Sequence, residues 1–155
     1  MDRKKLNSMR SEVIERSIEI ELLMSGIICV HYFGRINMPF WLEVLYDDNF
    51  SFAMKRRILE KIAPLTDRRR FDELNRIGTI RNHFAHRSLN FADFETMKLV
   101  AVDPKRLDRT IDFEGLFQEF SKLYDRVHKH LEEILVAMGK KRVKEMDDVI
   151  GARKM

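Results

Sequence analysis

The sequence has a single cysteine, three prolines, six glycines and one tryptophan among 155 residues. Cys29 has no second cysteine to pair with, and its place in an apolar run predicts a buried structural thiol. One cysteine and five histidines without metal-type spacing argue against a zinc site, and no metal or other cofactor is expected. The glycines form no phosphate-binding loop, and there is no nucleotide-binding strand–loop–helix pattern, internal repeat or clear helix-turn-helix reader. The most apolar region, Ile18 to Phe33, is short for a membrane span and is interrupted by Glu19, Glu21 and His31. The opening residues Met1-Asp2-Arg3-Lys4-Lys5 lead into no signal-peptide core, so a cytoplasmic protein without a membrane partner is expected.

What is present suits one globular domain: 45% hydrophobic and 35% charged residues in a chain long enough for a sizeable core. A net charge of +4 permits an anionic partner without demanding one. Residues 8–33 read as a first helix, capped by Ser8 or Ser11 and ended by Gly34. Its second half is apolar nearly all round and should be buried on more than one side, in a bundle core or in part at a subunit interface. Pro39 lies in the following connection, where Phe40 to Tyr46 suggests a short helix or turn with Trp41 as a core or interface anchor.

Ser51 or Asn49 can cap a second helix, Phe52 to Ile62, stopped by Pro64. Phe52, Ile58, Leu59 and Ile62 give it an apolar stripe, and Lys55, Arg56, Arg57 and Lys61 a basic outer face. Asp67 can cap a third helix, Arg68 to about His86. Its first turn carries Arg68, Arg69 and Arg70, which oppose the helix dipole unless Asp67, Asp72 and Glu73 offset them. Arg87 to Ile111 is the least regular part, with Met97 to Val102 a short strand, a helical turn or an extended loop. Asp112 caps a last long helix whose residues Phe113, Phe117, Phe120, Tyr124, Val127, Leu131, Ile134 and Met138 form a heptad-like seam, with Gly139 as its stop. These elements predict an all-α, up-and-down bundle of about four to five helices, with a short irregular or strand-like insertion after the third long one. Residues 1–139 form a single domain, and residues 140–155 a charged tail or helix extension.

The chemistry concentrates at the end of the third helix. Leu74, Ile77, Ile80, Arg81 and Phe84 share one face, and Asn75, Gly78, Thr79, Asn82 and His86 form a small polar face beside it. Asn82 and His86 are one turn apart. An arginine, an amide and an imidazole together suit a phosphate: a permanently charged fork, a neutral hydrogen-bonding group and a group that moves protons near neutrality. The same residues also suit a structural role, Arg81 in an ion pair with a neighbouring helix and His86 complementing the helix dipole.

Arg81-Asn82-His83-Phe84-Ala85-His86 resembles the signature of the HEPN superfamily, an arginine, a polar residue and a histidine a few positions on. Phe50 to Leu59, Phe71-Asp72-Glu73-Leu74 and Leu89 to Asp93 look like the branch that includes the mannitol-operon repressor family, and the resemblance covers roughly residues 10–138. It implies a HEPN-like helical bundle and a symmetric homodimer whose motifs face each other. In active members that pairing implies one composite site that cleaves RNA without metal. Carried onto this chain, it implies Arg81 against the charge developing on the phosphoryl oxygens, His86 as general base or acid, and Asn82 positioning the phosphate or orienting His86. Arg56, Arg57, Arg68, Arg69, Arg70, His83 and Arg87 are the candidates for RNA contact. The toxin members carry a tyrosine two residues beyond the motif histidine; here Ser88 stands there, so the match to that type and its tyrosine-modifying antitoxin is incomplete. Two functions are therefore expected. One is a metal-independent endoribonuclease of a toxin, defence or stress-response system, with RNA as substrate and an antitoxin as a candidate partner. The other is a non-catalytic, mannitol-repressor-like regulator acting through a protein partner.

Overall fold

Helix α1, Arg3–Phe33, is the element on which the other long helices pack in the computed structural model, which describes residues 3–47, 50–62, 68–86, 91–93, 98–100, 102–103 and 106–152. Ser8 and Ser11 lie inside α1 and are not its cap, because Leu6, Met9 and Val13 extend the apolar spacing upstream and are buried. Every residue from Met24 to Val30 is buried, Cys29 among them. Gly34 ends the helix at φ 72°, its N–H donating to the Val30 carbonyl at 2.9 Å. Glycine enters that left-handed region without strain.

Asn37 caps a short helix α2, Met38–Phe40, its Oδ1 accepting the Phe40 N–H at 3.0 Å; one π-helical turn, Trp41–Leu45, follows. Trp41 packs against the core and Leu45 is fully buried. Helix α3 is Phe52–Ile62, with Ser51 Oγ accepting the Met54 N–H at 3.4 Å, and helix α4 is Arg68–His86. Asn49, Pro64 and Asp67, expected to cap or stop these helices, lie outside the described residues. The expected strand region pairs locally: β1, Phe91–Asp93, is antiparallel to β2, Lys98–Val100, and β3, Val102–Asp103, to β4, Arg106–Thr110.

Helix α5, Phe113–Ala152, opens at Asp112, whose Oδ1 accepts the Gly115 N–H at 2.9 Å. It does not stop at Gly139. Glycine ends a helix where the chain turns left-handed, and here the good helix formers Ala137, Met138, Lys140 and Lys141 carry the helical backbone through it. Helices α1 and α5 run side by side in one direction: Lys5 pairs with Glu114 at 2.8 Å, the Tyr124 hydroxyl donates to Glu19, and Leu135 lies against Gly26. Helix α4 runs the other way, with Glu73 near Arg126, Arg76 on Glu119 and Phe84 on Phe113. The α5 seam packs within the chain: Phe113, Phe120, Val127 and Leu131 are buried, and Phe117, Tyr124, Ile134 and Met138 rest on the same core. Among the described residues no helix is long and apolar enough to cross a membrane.

Candidate functional site

Helix α4 buries Phe71, Leu74, Ile77, Ile80 and Phe84, and Glu73 beside them, and turns its opposite face outward. Its last turn is held from two sides. The Phe84 ring lies 5.1 Å from that of Phe113, and the Phe84 carbonyl accepts Nε–H of Arg10 at 2.7 Å. That bond from α1 satisfies a carbonyl the helix end leaves without an intrahelical donor. Midway along α4, Gly78 lets α3 approach closely: a Cβ there would stand 3.0 Å from Cε1 of Phe52. A cleft follows from that approach.

Arg81 lies at the junction of two clefts. One, of about 310 Å³, is lined by Ile18, Glu21, Ser25, Tyr46, Lys55 and Arg81, among others. The other, of about 190 Å³, has Arg56, Asn75, Thr79, Arg81 and Asn82 in its wall. The Arg81 side chain is 34% exposed. Its Nη1 donates to Asn82 Oδ1 at 3.4 Å, and its Nη2 stands 3.9 Å from Glu21 Oε1. Its buried Nε donates to no acceptor among the described residues. The expected ion pair with a neighbouring helix is thus present only in a loose form, leaving donors of the fork for an anion.

Glu21 is itself held. Its Oε2 accepts from Lys55 Nζ at 3.0 Å, and Lys55 is only 5% exposed. The expected basic outer face of α3 is corrected here: Arg56 and Arg57 remain on it, but Lys55 points inward. Lys55 lies three residues after Phe52 and four before Leu59, so the helical period places it on the buried stripe. Glu21 and Lys55 were not among the expected site residues. Their signals were an acid within the apolar half of α1 and a lysine in register with an apolar stripe.

The other expected residues are spread more widely. His86 is exposed in the last turn of α4 and lines neither cleft. Five positions from Arg81 is about 140° round a helix, so one chain does not aim both side chains at one point. His83 is half-buried and Arg57 and Arg68 are exposed, while Arg87 lies outside the described residues. Arg69 and Arg70 turn to Glu73, at 3.8 Å and 2.6 Å, and Arg126 of α5 joins them at 3.0 Å. Burial pushes the Glu73 carboxyl up, but hydrogen bonds from Arg70 and Arg126 and their charges outweigh it and hold the group below the ordinary carboxylate value. Of the acids expected to offset the first-turn arginines, Glu73 pairs with Arg69 and Arg70, and Asp67 lies outside the described residues; Arg68 is exposed. Among the described residues no group of histidine, cysteine and acidic side chains is placed to hold a metal ion. Comparison with protein-family models, curated proteins and solved structures finds no match to this chain.

Proposed function

We propose that this protein is an endoribonuclease that cleaves RNA without metal at a site shared by two subunits. The observation that carries the reading is the half-exposed Arg81 guanidinium between two clefts, with Asn82 bonded to it and Arg56 across the smaller cleft. A phosphodiester seated there meets a cationic fork and amide donors. The HEPN-like motif supplies the rest of the reading. One His86 removes the proton from a ribose 2′-hydroxyl, whose oxygen attacks the adjacent phosphorus. Arg81 stabilises the negative charge growing on the phosphoryl oxygens. The bond from phosphorus to the 5′-oxygen breaks, and the second His86 protonates that leaving oxygen. The products are a 2′,3′-cyclic phosphate and a free 5′-hydroxyl.

The exposed position of His86 suits this arrangement, because a second chain brings its own His86 toward Arg81. The larger cleft is lined by exposed apolar side chains, Ile18, Leu22 and Tyr46, a surface available for such pairing. The same surface favours a second reading, a regulator that works by binding another protein. One assay separates the two. Wild type, Arg81→Ala and His86→Ala are incubated with varied RNAs in EDTA. Cleavage by wild type alone, ending in 2′,3′-cyclic phosphate, is the expected outcome. No cleavage by any of the three moves the reading to the regulator, for which a stable partner should be recovered equally with wild type and His86→Ala. Equal cleavage by all three points to another site.

A further inference from the structure

We infer that Glu21 and Lys55 are positioning residues for Arg81: a buried charge pair that aims the guanidinium at the clefts while keeping its donors free. This inference rests on the reading of Arg81 as the phosphate-binding residue. Three helices each contribute one charge: Glu21 from α1, Lys55 from α3 and Arg81 from α4. The Lys55 side chain is 7% exposed and that of Glu21 20%, so their contact is shielded from solvent. A lysine that deeply buried keeps its charge only beside a partner, and Glu21 is that partner. The pairing divides the carboxylate unequally. Oε2 is bonded by Lys55 at 3.0 Å, whereas Oε1 stands 3.9 Å from Arg81 Nη2, too far for a hydrogen bond. Glu21 therefore attracts Arg81 without occupying its N–H groups. Asn82 Oδ1 holds the other terminal nitrogen at 3.4 Å, a weak contact that a phosphate oxygen can outcompete.

The two members of the pair act in different senses. Lys55 restrains Glu21 from closing on Arg81, since a carboxylate freed from the lysine would form a direct, two-point ion pair with the guanidinium and compete with the phosphate. Glu21 supplies the attraction that orients Arg81, and without it the guanidinium swings away. The variants should divide accordingly. Glu21→Gln should lower kcat by about tenfold or more with KM changed by less than about threefold, as expected when a group acting in the transition state is misaimed. Lys55→Met should chiefly raise KM, by about tenfold, because substrate must displace Glu21. Lys55→Arg, which keeps the charge on Glu21, should restore behaviour near wild type.

The test pairs these kinetics with the Arg81 side-chain Nε–H resonance in ¹⁵N NMR, assigned by its loss in Arg81→Lys. In wild type this buried N–H should be a protected, separate signal. Glu21→Gln should move it toward the position of exposed arginines, Lys55→Met should shift it in another direction, and Lys55→Arg should leave it in place. If Glu21→Gln does not fold, the double variant Glu21→Gln/Lys55→Met, which removes both buried charges and keeps the volume, stands in its place. Unchanged kcat and an unchanged Arg81 signal in Glu21→Gln or the double variant would overturn the inference. If wild type cleaves no RNA, the functional reading fails, and the resonance alone decides whether the pair positions Arg81.

Discussion

Gly78 shows how one missing side chain shapes the site. It allows the Phe52 ring to lie against α4, and that ring also lines both clefts. In Gly78→Ala the new Cβ meets Phe52 at about 3.0 Å, so the ring must give way. It has the clefts to move into. The crowding cost and the better helix propensity of alanine then largely offset each other, and thermal denaturation should show a stability change below about 1 kcal/mol. RNA cleavage should fall because the clefts shrink, so unchanged cleavage would separate Gly78 from the site. Lys55 carries a different lesson. Its long stem suits a surface as well as a buried stripe, and its inward course depends on a carboxylate 34 positions away on α1. No local pattern around residue 55 contains that carboxylate.

Helix α5 passes through Gly139 because nothing in the packing asks the chain to turn there. Among the described residues no atom outside the glycine's own helix and chain neighbours lies within 4 Å of where its Cβ would be. Gly139→Ala should therefore raise stability by about 0.5–1 kcal/mol, read as a higher melting temperature. Helix α4 is tied to α5 by two ionic contacts of different weight. The bidentate Arg76–Glu119 pair, at 2.7 Å for each bond, is about two-fifths exposed on both sides and contributes little. Glu73, 8% exposed beneath three arginines, contributes more. Glu73→Gln should cost about 1–3 kcal/mol near neutral pH by urea unfolding. The sign of its pH dependence follows from its lowered pKa. The unfolded chain binds the proton more readily, so the stabilisation is present above the ordinary value of 4.5 and is lost as pH falls through the native value. The gap between wild type and Glu73→Gln should accordingly narrow below about pH 4.5; a constant gap would remove the carboxylate charge from the account.

The whole molecule presents Arg81 and His86 in different directions, which is what a site completed by a second copy requires. In a mixture of wild type with excess His86→Ala whose subunits exchange, cleavage should fall below the wild-type fraction of chains, since a mixed dimer holds only one of the two histidines that the proposed reaction uses. Cleavage in simple proportion to the wild-type chains, in a mixture shown to contain mixed dimers, would place the chemistry within one subunit.

Amphipathic periodicity and local punctuation were enough to read α3, α4 and the α5 seam, because those signals act over a few turns and are written in neighbouring residues. The same spacing placed Arg81 and Asn82 together at one cleft, but it did not show that His86 lines neither cleft. The start of α1 was not legible, and Gly139 was read as a stop although a helix extension beyond it was one of two expectations, because packing along the bundle outweighs a weak cap or a single glycine. The cleft around Arg81 was beyond any local pattern. It exists because α1, α3 and α4 meet there, bringing Glu21, Lys55 and Arg81 together from distant points of the chain, and burial pairs Lys55 with Glu21 while Arg81 stays only loosely held beside them.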